Sequence, residues 1–266
     1  MAEDPSRCER ATEMPNSLPA IERRRKAGLL TYGLIAVLAA RSVFALAAQG
    51  AVVLVHVASG SASPWREAGA WLPVYGTLID AGCLFLLWRF TRQEGIRLVD
   101  LLGFDRNRLG RDVILGLALV PPCLVFILGG VAVSSLLVYG EIALPQLGAS
   151  LPLGPALYAV LIWPLVWGFT EQMTYNGYLL PRIRVLSGST IIAVAAVAFW
   201  WSFQHVVMPL TFDPPYMLHR LLGSLPNALF MILVYMRLRR LLPLALAHWL
   251  MNGAAVFMGS LWPLHG

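Results

Sequence analysis

The sequence predicts an all-α fold, a polytopic bundle of transmembrane helices, and three observations predict it. Of the 266 residues, 58% are hydrophobic and 13% are charged, against about 25% charged in an ordinary soluble domain. A soluble chain of that composition could not cover its own surface, whereas in a bilayer apolar residues can face lipid. Apolar runs close to the ~20 residues needed to cross a bilayer recur along the chain. The basic residues gather in alternate connections between those runs, which is the pattern that orients a membrane protein.

Seven spans are read, at roughly 28–50, 70–89, 112–138, 154–181, 189–208, 217–236 and 241–262. The fourth has the least distinct end, because Pro181 stands in Leu180-Pro181-Arg182. A proline in the last turn of a span is tolerated where neighbours satisfy the freed carbonyl. The N-terminal tail holds Arg7, Arg10, Arg23, Arg24, Arg25 and Lys26, and the connection after span two holds Arg89, Arg92, Arg97, Arg106, Arg108 and Arg111. Arg182 and Arg184 follow span four, and Arg237, Arg239 and Arg240 follow span six. The other connections hold only Arg66 and Arg220. The positive-inside rule then places the N-terminus in the cytoplasm and the C-terminus outside.

Residues 1–27 form a polar cytoplasmic tail expected to be mobile, and residues 28–266 a single membrane domain. A polar stretch this long before the first apolar run is not a signal peptide. Gly95 to Arg111 reads either as an amphipathic segment along the cytoplasmic face or as a plain loop. Cys8, Cys83 and Cys123 form no CxxC pair and imply no disulfide framework; the latter two sit in apolar runs as small hydrophobes. The net charge of +6 does not point to nucleic acid, because its carriers are the short loops. The expected partner is the lipid bilayer, and the expected location is the plasma membrane of a prokaryote.

Ionisable residues inside spans are costly and are usually paired or functional. Arg41 and Asp80 each lie roughly 14 Å below the outer surface at ~1.5 Å per residue, so a buried ion pair between them is expected. Glu171, His205, His248 and Asn252 have no Lys or Arg of their own spans at matching depth. Their depths from the cytoplasmic side, about 15, 24, 11 and 17 Å, allow one layer. His248 and Asn252, at i and i+4, share a helix face.

A carboxylate in a low-dielectric site can serve as a general base, a histidine can share its proton, and a second histidine with an amide can donate to an oxyanion. With water as nucleophile this set suffices for amide hydrolysis. Glu171, His205 and His248 are also a ligand set for a catalytic zinc, although no HExxH is present. A small-solute transporter is a further reading, since polar residues near the midplane mark substrate pathways. The plainest alternative is helix-to-helix hydrogen bonding.

Three motifs resemble the CPBP family, the CAAX-protease and bacteriocin-processing (Abi) group of intramembrane peptidases. The family's EExxxR followed by Gly and Pro-Arg reads here Glu171-Gln172-Met173-Thr174-Tyr175-Asn176-Gly177 through Pro181-Arg182. Its FxxxH reads Trp201-Ser202-Phe203-Gln204-His205, and its HxxxN reads His248-Trp249-Leu250-Met251-Asn252. The resemblance implies a glutamic endopeptidase with its core at about 154–262. Glu171 would be the water-activating base, His205 its helper, and His248 and Asn252 the oxyanion donors, with no cofactor required. The substrate implied is a membrane-associated peptide or protein. Gln172 and Asn176 depart from the second Glu and the Arg, and Trp201 replaces Phe. Loss of both charges together leaves no unpaired ion, and an amide pair can bond in their place. A catalytically inactive relative that binds a peptide or confers immunity is the alternative this departure raises.

Overall fold

The computed structural model describes residues 15–30, 33–142 and 151–260. Arg7, Cys8 and Arg10 lie outside the described residues. Among the described residues every regular element is helical, as the composition predicts.

Helix α1 (Leu18–Lys26) is started by Ser17, whose hydroxyl accepts from the Ala20 amide at 3.3 Å, and ends in Arg23, Arg24, Arg25 and Lys26. That charge order complements the helix dipole. The sequence reading of residues 1–27 as a mobile tail is corrected for this part. Ile21 is fully buried, and Asn16 Nδ2 donates to the Gly177 carbonyl at 2.7 Å. Arg24 lies 3.3 Å from Glu94.

The first long helix, α2 (Gly33–Ala58), packs along α4 (Leu72–Gln93), and the short α3 (Pro64–Ala70) meets α4 at a bend of 74°. Two 3₁₀ turns, Leu98–Leu102 and Arg106–Arg108, lead into α5 (Leu109–Tyr139). Leu117, Val125, Leu128 and Leu137 of α5 are exposed. Such a face is stable only against an apolar solvent. On its inner side α5 meets α10 (Pro214–Leu238) so closely that a Cβ on Gly130 would lie 2.3 Å from the Gly223 carbonyl oxygen.

The fourth apolar run is a continuous helical path from Leu153 to Ser187. It comprises α6 (Leu153–Leu161), α7 (Trp163–Glu171), a π-helical stretch Gln172–Leu179 and α8 (Leu180–Ser187). The expected end at Pro181 is corrected. Pro181 stands in the first turn of α8, directly after the π-helical stretch, and its fixed φ suits a helix. Helices α9 (Thr190–Val207), capped by Ser189, and α11 (Leu242–Ser260) complete the bundle.

Among the described residues five helices are long and apolar enough to span a membrane, and six if the bent pair α3–α4 counts as one span; a further apolar helix, Leu242–Phe257, is shorter. The seven runs read from the sequence correspond to these five helices, the bent pair and this shorter helix. The second run is broken at Trp71 between α3 and α4, and the seventh extends past Ser260, outside the described residues.

At the arginine-rich end, Arg182 makes a bidentate pair with Glu94 at 2.8 and 2.6 Å and lies over the Tyr178 ring at 3.9 Å. This clamp joins α4 to α8 and draws in α1 through Arg24. Cys83 and Cys123 are buried and free, in keeping with their reading as small hydrophobes.

Candidate active site

Glu171 ends α7 where the helix widens into its π-helical stretch. A π-helix is rare and is frequently found at functional sites. Gly168, one turn earlier, brings α7 onto α11. A Cβ there would lie 3.1 Å from the Trp249 backbone nitrogen. The absence of that carbon lets Glu171 Oε2 reach 3.5 Å from His248 Nε2.

The Glu171 carboxylate is fully buried and surrounded by donors. Oε2 accepts from Trp201 Nε1 at 2.8 Å. Oε1 accepts from Gln204 Nε2 at 2.8 Å and from Trp167 Nε1. Arg41 Nη2 lies 3.3 Å from the same oxygen. Two indoles, an amide and a guanidinium are a set made for an anion, since hydrogen bonds to a charged acceptor are worth ~1.5–3 kcal/mol each. Tyr175 stacks on Trp201 with ring centroids 5.2 Å apart, which fixes the indole in place. Trp201 thus keeps the aromatic body of the motif and adds a hydrogen-bond donor to it.

Gln172 and Asn176 are both fully buried. Asn176 Nδ2 donates to Gln172 Oε1 at 2.8 Å, the amide pairing expected for that departure from the motif. Gln172 Nε2 in turn lies 3.4 Å from His248 Nδ1. One turn along α11, Asn252 is buried, and its Nδ2 has no hydrogen-bond partner among the described residues. A buried donor without a partner costs ~1–3 kcal/mol, so its retention calls for an explanation. A donor held ready for a developing oxyanion has this property.

His205 is placed differently from the other three. Its ring is half-buried and makes no hydrogen bond among the described residues, while its carbonyl accepts from Arg220 Nε at 2.7 Å. Arg220 Nη2 also donates to the Met208 carbonyl, so Arg220 closes the end of α9. The motif's direct contact with Glu171 is made by Gln204, the neighbouring residue. No hydrogen bond or ion pair joins His205 to Glu171 among the described residues.

Of the zinc set Glu171, His205 and His248, the structure brings Glu171 and His248 within 3.5 Å of each other. No group of three or more His, Cys, Asp or Glu side chains is gathered as metal ligands among the described residues. The Glu171 oxygens also face N–H groups and a guanidinium, which repel a cation.

Sequence reasoning missed three contributors. Gln204 lay inside a motif but outside its defining positions. Trp167 is one turn before Glu171, an i, i+4 contact that could have been inferred. Arg41 was expected to pair with Asp80, and does so at 2.6 Å, but it also reaches Glu171. The spans of the site residues themselves bring no cation to Glu171, as expected, and the one that reaches it comes from another span.

Residues 153–254 match the family model of the Rce1-like proteins, described as type II CAAX prenyl endopeptidases. No curated protein and no solved structure matches the chain. The matched segment contains Glu171, His205, His248 and Asn252, and leaves Arg41 and Asp80 outside.

Proposed function

We propose, from the Rce1-like character of residues 153–254, that this chain is an intramembrane endopeptidase that cuts a membrane-associated protein or peptide with Glu171 as the base. The observation that carries the reading is the buried Glu171 carboxylate 3.5 Å from His248 Nε2, with Asn252, whose amide nitrogen has no partner among the described residues, one turn further along α11. A water lying against that pair touches both groups. Glu171 Oε2 takes a proton as the water oxygen attacks the scissile carbonyl, and the carbonyl oxygen becomes an oxyanion. Asn252 Nδ2 donates to it, which stabilises charge only in the transition state. The proton then passes to the leaving amine. His248 orients the water from the other side, and Trp201, Trp167 and Gln204 hold the carboxylate still. His205 contributes at longer range.

This reading is of a metal-free site with its peptidase core at about 154–262. A silent relative that binds a peptide is favoured by one observation, the Gln172–Asn176 amide pair in place of the motif's charges. Glu171→Gln separates the two. An amide oxygen turned toward Trp167, Gln204 and Arg41 keeps those contacts and gives up the Trp201 bond, so the variant still folds. Comparison of membrane proteins cleaved by the wild type and by this variant should show loss of cleavage by about 10²–10⁴-fold, the usual contribution of a general base. Cleavage that persists in the variant overturns Glu171 as the base, and a wild type that cleaves nothing overturns the peptidase reading in favour of the silent relative.

A further inference from the structure

Arg41 lies on α2, outside the matched segment, yet all three of its nitrogens are engaged around the site. Nε donates to Gln204 Oε1 at 2.6 Å, Nη1 to Asp80 Oδ1 at 2.6 Å, and Nη2 lies 3.3 Å from Glu171 Oε1. The side chain is 1% exposed. Gln204 closes the ring, since its Nε2 donates to the same Glu171 oxygen that Arg41 faces. A guanidinium can do this because its donors form a rigid planar fork.

Within the first motif no cation serves Glu171. Asn176 stands where the family's arginine is expected and turns its amide to Gln172. Arg182 is committed to Glu94. A buried carboxylate without a cation is strongly disfavoured, and Arg41 is the cation that the fold brings to Glu171.

We propose that Arg41, braced by Asp80 and Gln204, is the positioning residue that supplies Glu171 with the counter-charge its own motif lacks. The proposal rests on the peptidase reading. It assigns α2 and α4 a part in the site, so the active unit extends beyond residues 153–254. The competing account is an ion pair between Arg41 and Asp80 that only holds α2 to α4. The two differ in one result. Arg41→Gln with Asp80→Asn removes both charges of the pair, leaves no buried ion of that pair behind, and restores stability if the pair is merely structural.

The double variant and the wild type are compared in detergent for thermal stability and for kcat and KM on the substrate identified with intact Glu171. The expected result is a folded protein whose kcat falls about 10²-fold, the scale of a misplaced reacting group, with KM within about threefold. Activity equal to wild type in the folded double variant overturns the proposal. The second readout needs no activity. The infrared carboxylate band of Glu171, identified by its loss in Glu171→Gln, should shift in the double variant; an unshifted band overturns the proposal. If the double variant does not fold, Gln204→Met removes the bridging amide without a change in charge. It should lower kcat about tenfold, and an unchanged kcat overturns the proposal. A wild type whose hydrolysis does not depend on Glu171 sinks Glu171 as the base instead, and the infrared band then decides the role of Arg41 alone.

Discussion

Gly168→Ala tests whether the approach of α7 to α11 sets the site. A Cβ at Gly168 would lie 3.1 Å from Trp249 N, 3.4 Å from the Ala245 carbonyl oxygen and 3.5 Å from the His248 carbonyl carbon. All three neighbours are backbone atoms and cannot rotate away. Since carbon contacts are best at about 3.5–4.0 Å, the helices must part by about 0.5 Å. Glu171 and His248 lie on either side of this contact, so their 3.5 Å separation opens by a comparable amount. Overpacking of this kind costs about 1–3 kcal/mol, while alanine gains about 1 kcal/mol over glycine in a helix. The net effect on stability is a loss of at most ~2 kcal/mol. kcat should fall about tenfold, because a 1 Å misplacement costs about 10²-fold. Gly50→Ala on α2 is the control, since a Cβ there meets nothing within 4 Å. It should stabilise slightly and leave kcat alone. The assay is melting in detergent together with single-turnover hydrolysis. If Gly168→Ala melts at or above the temperature of the control and hydrolyses at the wild-type rate, the close approach does not set the site.

Other changes have expected outcomes of their own. Glu94→Gln leaves the fully buried Arg182 without its carboxylate and should cost about 3–5 kcal/mol, while Glu94→Gln with Arg182→Met should recover part of that loss. Melting measures both, and a double variant no more stable than the single one would show that the clamp does not act as a pair. His248→Ala should lower hydrolysis about 10²–10⁴-fold, and His205→Ala by about tenfold, because only His248 stands beside Glu171. Equal losses would make His205 a direct partner of the base. Asn252→Leu should lower kcat by about 10²–10³-fold with KM little changed, as expected for loss of an oxyanion donor; a rise in KM alone would make Asn252 a binding group. Elemental analysis of purified protein should find less than one zinc per chain, and hydrolysis should survive a chelator. Stoichiometric zinc would overturn the water-only chemistry.

The sequence made the helical membrane class legible because composition alone demands an apolar solvent. It also made the Arg41–Asp80 pair legible, because depth along two antiparallel helices follows from counting residues. Depth, however, says nothing about direction around the helix. Successive residues are turned by about 100°, so counting could not tell which of Gln204 and His205 faces Glu171, and the motif drew attention to the one that does not. The same gap hid the second role of Arg41. Its level matched that of Asp80, but whether its fork also met α7 depended on how α2 packs against a helix more than a hundred residues away in the chain. The π-helical stretch was invisible as well, since Gln172 to Leu179 contains no residue that demands it.

These misses have a common cause, and it bears on the chemistry. The four site residues read from the sequence belong to three motifs within residues 153–254, and a motif records what neighbouring positions share. The charge balance of a buried carboxylate is set by whatever the whole bundle brings to it, and in lipid there is no water to make up a deficit. Loss of the motif's Glu and Arg therefore need not mean loss of the site. It means that the electrostatic requirement of Glu171 is met from elsewhere, here from a helix outside the matched segment. A family motif with two substitutions is a poor guide to activity in such a protein until the partners of its remaining carboxylate are known.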